Sequence, residues 1–394
     1  MKDNVAHSGR KMIITVSYMT MGMLGAYLSI YQYTILGISQ LFLLNAAMLG
    51  LMIGMQHVGI SIPPLFMGSL CCKIGKKRLI LISYALIILG TFLAGMTGSF
   101  IGFIICVFII GAGYSVTEAT LTAVLSDEFP GDSTRHLNFS QVAFSVGAMA
   151  GPFIAQGLIE SGVYFKDLYF YVSAVFLVLA VLFLFTRHQN DMGGAPAEKG
   201  TFFAIRFLRS RVFLLLALSI FLYVGIENTV SSFTDSYFEI DLGAPAMSAT
   251  ALSLFWGAMI PSRFLAGVLK TDRKKMFIFL AVLVASASVA AMLVPDYTVK
   301  IILFAVCGFG CGPMWPLLMD SVAKRTKGSA GPAMNMMMSF SGFGGAALPF
   351  LAGLAVFGLG SESAAYYLSA AVAGAMLVLY LFSTREDRRR GEDV

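Results

Sequence analysis

Charge is what this sequence has least of. Asp, Glu, Lys and Arg together make up 12% of its 394 residues, about half of the ~25% that a soluble domain carries. A chain so poor in charge cannot clothe a water-soluble globule of this length, whereas a wall that faces lipid needs none. Histidine (4), cysteine (5) and tryptophan (2) are scarce as well. The histidines His7, His57, His136 and His188 are scattered, and no Cys/His spacing matches a zinc box. Cys71 and Cys72 are neighbours, Cys106 and Cys307 lie in apolar runs, and Cys311 follows Cys307 by one helical turn. That pattern gives no disulfide framework and reads as five small packing residues. Nor is there a catalytic triad, a metal site or a nucleotide loop: the run Gly308-Phe-Gly310-Cys-Gly312 lacks a strand before it and a Gly-Lys-Ser/Thr after it. These absences argue against an enzyme and leave no cofactor to expect.

What the chain does have is apolar length. Apolar residues make up 58% of it and the mean hydropathy is +0.81. Twelve runs of about 18 to 26 residues follow one another, each long enough to cross a ~30 Å hydrocarbon core as a helix. They are Ile13–Leu36, Asn45–Leu70, Leu79–Met96, Phe100–Leu125, Asn138–Ile159 and Leu168–Phe185, then Val212–Ser232, Ser248–Leu269, Met276–Leu293, Ile301–Met319, Met334–Phe357 and Ala364–Phe382. The first run is too long for the h-region of a cleavable signal. The one substantial polar break, Arg187–Arg211, falls at mid-chain. The expected fold class is therefore all-α, with two six-helix bundles at residues 1–186 and 212–394 and a linker at residues 187–211.

The basic residues fix an expected orientation. With the N-terminus inside, all of the 27 Lys and Arg except Lys166, Arg263 and Lys300 fall on cytosolic segments, as the positive-inside rule requires. Asp167, Asp235, Glu239, Asp241, Asp296 and Glu362 fall on or near the other face. The chain is thus expected in an inner membrane with both termini cytosolic, working as a monomer. Its net charge of +6 reflects topology and not a nucleic-acid partner. The halves also repeat. Gly111-Ala112-Gly113 recurs as Gly308-Phe309-Gly310, Asn138 as Asn335, Gly147-Ala148 as Gly344-Gly345, and Pro152-Phe153 as Pro349-Phe350, at one common offset of about half the chain. Parallel repeats about an axis along the membrane normal are a transporter signature.

At family level these features resemble the major facilitator superfamily. The loop Gly68-Ser-Leu-Cys-Cys72-Lys73-Ile-Gly75-Lys76-Lys77-Arg78 is similar to that superfamily's Gly-x3-Asp-Arg/Lys-x-Gly-basic motif, with Cys72 at the acidic position; the mirror loop from Gly267 keeps an acid, Asp272. The resemblance implies that Gly68, Lys76, Lys77, Arg78, Asp127 and Asp272 take part in conformational gating. Lys76, Lys77 or Arg78 is expected to meet Asp127 or Glu128 at the end of the fourth helix when the protein is closed to the cytosol. Three segments most resemble the fucose-permease group of sugar–proton symporters: Phe221 to Phe238, Phe255 to Gly267, and Arg135 to Pro152. That group uses carboxylates in its first and fourth helices; here the first helix has none, and Glu118 lies near the fourth-helix position. A proton-coupled drug antiporter resembles the chain less, because Val107 stands where those proteins carry an arginine, and Ala155 and Gln156 where they carry glycines.

Ionisable residues inside spanning helices are costly and usually face a cavity. Here they are Glu118, Glu227, His57 and Arg263, with Asp320 at a helix end. Glu118 and Glu227 are expected either to bind substrate and exchange a proton or to form structural pairs. His57 titrates near neutrality when free, or it packs. Arg263 is expected to snorkel toward the nearby basic loop, and Asp320 to pair with loop lysines. Trp315, between Pro313 and Pro316, is the repeat counterpart of Glu118; it and Trp256 could stack on a sugar face while hydroxyls bond Glu118, Gln32, Asn228 or Gln141. The reading is a secondary transporter for a small polar, sugar-like solute, coupled to protons. Proton-coupled efflux is the alternative, and a lipid flippase or membrane enzyme is more remote.

Overall fold

The computed structural model describes residues 2–66, 73–128, 133–186, 206–269, 272–325 and 330–389. Among these residues all regular structure is helical. Twelve helical spans are long and apolar enough to cross a membrane. The first six are α1 (Met12–Leu41), α2 (Ala46–Leu65), α3 (Lys76–Met96), α4 (Phe100–Leu125), α5 (Phe139–Glu160) and α6 (Asp167–Leu184). The second six are α7 (Arg211–Asp241), α8 (Pro245–Val268), α9 (Arg273–Leu293), α10 (Tyr297–Val322), α11 (Ala333–Leu359) and α12 (Ser363–Arg385). The number agrees with the apolar runs in the sequence. The linker residues 187–205, Gly68, Cys71 and Cys72 lie outside the described residues, and so does the side chain of Asp127.

Two spans differ from the runs read in sequence. The helix of α7 does not end at Ser232: after Arg211–Ser232 it continues through Thr234–Ser236 and a π-turn at Tyr237–Asp241. The polar residues Asp235 and Ser236 sit there, both buried, so composition alone placed the end too early. In contrast, α10 is broken into Tyr297–Cys311 and Met314–Arg325. Pro313 and Pro316 supply no backbone N–H, so the helical ladder cannot pass through Gly312 unbroken.

The repeat is built from close helix crossings. A Cβ on Gly147 of α5 would sit 1.8 Å from the Gly22 carbonyl oxygen of α1, and one on Gly344 of α11 would sit 1.8 Å from that of Phe221 in α7. Likewise Gly111 of α4 abuts Gln56 of α2 (2.1 Å) as Gly308 of α10 abuts Phe255 of α8 (2.0 Å). Only a residue without a side chain permits these backbones to touch, which is how helices associate where lipid offers no hydrophobic drive. Equivalent glycines thus perform equivalent packing in both bundles. Between the bundles, α2 packs on α11, α5 on α8, and α1 on α7 and α8; α4 and α10 pack closely only within their own bundles.

A candidate solute site between the bundles

The site begins at the break in α10. A helical carbonyl at Gly312 would accept from residue 316, but Pro316 has nothing to donate. Arg263 of α8 fills the vacancy, with Nε donating to the Gly312 oxygen at 3.0 Å. Its Nη1 donates to Ser145 Oγ of α5 at 2.7 Å, and Nη2 reaches only the Met259 sulfur, at 3.8 Å. The expected snorkelling is therefore corrected: Arg263 turns inward and ties the two bundles together, because an orphaned carbonyl offers a better partner than the lipid boundary.

Two carboxylates face this guanidinium. Glu118 of α4 stands beside Gln141 of α5, with Arg263 and Glu227 both within electrostatic range. It lies seven residues inside the end of α4, about 10 Å at the helical rise. Glu227 of α7 accepts from Tyr223 Oη at 2.8 Å. Tyr114, one turn before Glu118, is buried and feels all three charges. Glu118, Gln141, Glu227, Arg263 and Trp315 are each only partly buried, so the charged groups border accessible space. Members of both bundles contribute, and none of Arg263, Glu118 and Glu227 forms an ion pair among the described residues.

A drier layer adjoins it. Gln32 of α1 donates from Nε2 to Ser231 Oγ of α7 at 2.8 Å and accepts from Trp256 Nε1 of α8 at 3.0 Å. Trp256 is 2% exposed and packs edge-on against Phe144 of α5, with centroids 6.2 Å apart. Its ring is thus committed to the bundle interface in this conformation and is not free to stack on a solute. His57 of α2 is also buried, lying beside Asn228 and against Gly345. Asn228 donates from Nδ2 to the Val224 oxygen at 2.9 Å and stands beside the His57 ring. Trp315 opens the second half of α10 and packs on the apolar core. The groups that act on Glu118 come from α5 (Gln141), α7 (Glu227) and α8 (Arg263).

The described residues expected to take part in gating, Lys76, Lys77, Arg78 and Asp272, fall at the end that carries the basic loops. Of the three basic residues, Lys77 donates from Nζ to the carbonyls of Leu184 (3.1 Å) and Thr186 (2.7 Å) at the end of α6. The exposed carbonyls and the helix dipole favour a cation there. In the second bundle Asp320 pairs with Arg273 and, at 3.5 Å, with Lys324. Asp272 caps α9, accepting from the Lys274 and Lys275 amides. At the opposite end Gln40 of α1 donates to Glu239 of α7 at 3.1 Å.

A fold of two pseudo-symmetric six-helix bundles with charged residues at their interface invites comparison with transporters. The model of the Major Facilitator Superfamily matches residues 12–331 and 270–393. The chain belongs to this superfamily. It is 25% identical over 373 residues to the cis,cis-muconate transport protein of Acinetobacter baylyi, covering 87% of this chain and 88% of that one. Among solved structures it superposes on the E. coli fucose:proton symporter FucP with a TM-score of 0.69 at 18% identity, covering 94% and 98% of the two chains. The nucleoside transporter NupG gives 0.74 at 13% identity, covering 95% and 99%. A bacterial homolog of the human lysosomal transporter Spinster, inward-facing and unoccupied, gives 0.71 at 13% identity, covering 95% of each chain. The chain is thus a multi-pass membrane transporter and not an enzyme. Sequence reading singled out Glu118 and Glu227 but missed Arg263, Ser145 and Tyr114 as their neighbours. The readable signal was Pro316 standing four residues after Gly312.

Proposed function

We propose that this transporter carries a small polar, sugar-like solute in symport with a proton, by rocking residues 1–186 against 212–394 about the linker 187–211. The observation that carries the reading is the Glu118–Arg263–Glu227 cluster, drawn from both bundles and bordering accessible space. Two carboxylates around one guanidinium leave a net negative site when both are ionised, so a proton taken up there restores balance and links proton to solute. Glu118, Glu227, Tyr114, Tyr223, Cys311 and Arg263 are titratable groups within electrostatic range in this cluster, with His57 on the adjoining layer. The relatives are named for fucose, nucleosides and muconate; polarity and small size are what these share, and they support the reading at that level.

The contacts Gln32–Ser231, Gln32–Trp256 and Gln40–Glu239 join the bundles toward the acidic end. With the basic loops in the cytosol of an inner membrane, these contacts lie on the outer side of the site. The test is direct. Purified protein in lightly buffered proteoliposomes should alkalinise the external medium when its solute is added and the solute enters. Solute entry without proton movement would refute symport.

A further inference from the structure

The guanidinium of Arg263 carries more donors than the protein uses. Of its five N–H groups, Nε is taken by the Gly312 carbonyl and one on Nη1 by Ser145. Nη2 has only the thioether of Met259 at 3.8 Å, a weak acceptor. No carboxylate of the chain lies within ion-pair distance of it among the described residues, although Glu118 and Glu227 sit close enough to feel its charge. A cation inside a spanning segment is ordinarily paired, or held by backbone carbonyls. This one is held by a single carbonyl and a hydroxyl, and the residue is only partly buried.

We infer that the solute bears a carboxylate, and that this group docks on Arg263 in place of Ser145. The planar fork suits a carboxylate bidentately and has no such advantage for a neutral hydroxyl. Gln141 lies one turn before Ser145, and Tyr114 and Tyr223 are within electrostatic range of Arg263; these groups can bond hydroxyls, so the substrate class is a hydroxylated carboxylic acid. Because Ser145 is on α5 and Arg263 on α8, a docking acid breaks a bond between the bundles at the step where they must separate. The inference rests on the transport reading above.

The experiment uses matched pairs that differ in the acid alone: galacturonate against galactose, and gluconate against glucitol. Binding to the full-length purified protein is followed by thermal shift, and counterflow is followed in proteoliposomes. The expected result is at least tenfold tighter binding of each acid than of its neutral partner. Arg263→Gln should abolish that preference, and Arg263→Lys, which keeps charge but not the fork, should retain it with weaker affinity. Both variants are first checked for a monodisperse fold; if Arg263→Gln fails that check, Arg263→Lys decides, since unchanged acid affinity there contradicts a fork. Neutral partners that bind as well as the acids, or a preference that survives Arg263→Gln, would overturn the inference and leave transport standing. If no member of either pair binds or exchanges, the proposed solute class falls, and the inference with it.

Discussion

Glu362 sits between α11 and α12, buried, with Oε2 accepting from Ser236 Oγ at 3.0 Å. Burial pushes its carboxyl up to about 7, nearby Asp241 adds to this, and the Ser236 bond partly offsets it. The folded protein therefore holds a proton that the unfolded chain has already released, so this residue's contribution to stability falls as pH rises from about 4.5 to about 7. Glu362→Gln should remove that dependence. The apparent Tm of the variant should exceed that of the parent above pH 7 by several degrees and match it near pH 4.5; parallel curves would contradict the assignment. Trp256→Phe tests the drier layer. It leaves Gln32 Oε1 buried without a donor, which costs about 1–3 kcal/mol, and chemical denaturation should register the loss while the fold persists. Individual charged residues were legible in the sequence because lipid makes them conspicuous. Their partners were not. Gln32 reaches Ser231 and Trp256 from the other half of the chain, and no local pattern records a contact across about two hundred residues.

Helices were the most legible elements, since each needs a run of apolar residues to cross the bilayer. Errors fell where backbone rules override composition: α7 carries Asp235 and Ser236 inside its helix, and α10 breaks at Gly312-Pro313. The break links an element to the site, because it frees the carbonyl that orients Arg263. Pro316→Ala should restore an N–H facing the Gly312 oxygen, compete with Arg263 Nε, and lower the transport rate with little loss of expression. An unchanged rate would show that the guanidinium needs no such anchor. The glycine crossings give a second test. Gly344→Val places a side chain against the Phe221 carbonyl, and Gly147→Val does the same against Gly22. Each should destabilise its bundle by about 1–3 kcal/mol or more, measured as loss of thermal midpoint. The two effects should be alike if the repeat is structural, and a large difference between them would argue against that equivalence.

For the molecule as a whole, the constant offset between halves was the most informative sequence feature, because it divides the chain into two like bundles whose equivalent glycines pack alike. Gly113 meets Ser83 and Ile87 as Gly310 meets Leu280 and Val284. The pairing of halves across the interface was beyond that signal, since a repeat describes each bundle and is silent on what lies between them. In the proposed mechanism Glu118, within electrostatic range of Arg263 and Glu227 across that space, exchanges the proton that drives solute uptake. Glu118→Gln keeps size and hydrogen bonding while removing the exchangeable proton. The decisive measurement compares parent and variant in proteoliposomes, using any solute the parent accumulates, with an inward proton gradient and then in counterflow without one. The account predicts that uphill accumulation disappears while counterflow survives. Accumulation and counterflow both unchanged would contradict it, making Glu118 structural and returning the coupling role to Glu227 and His57.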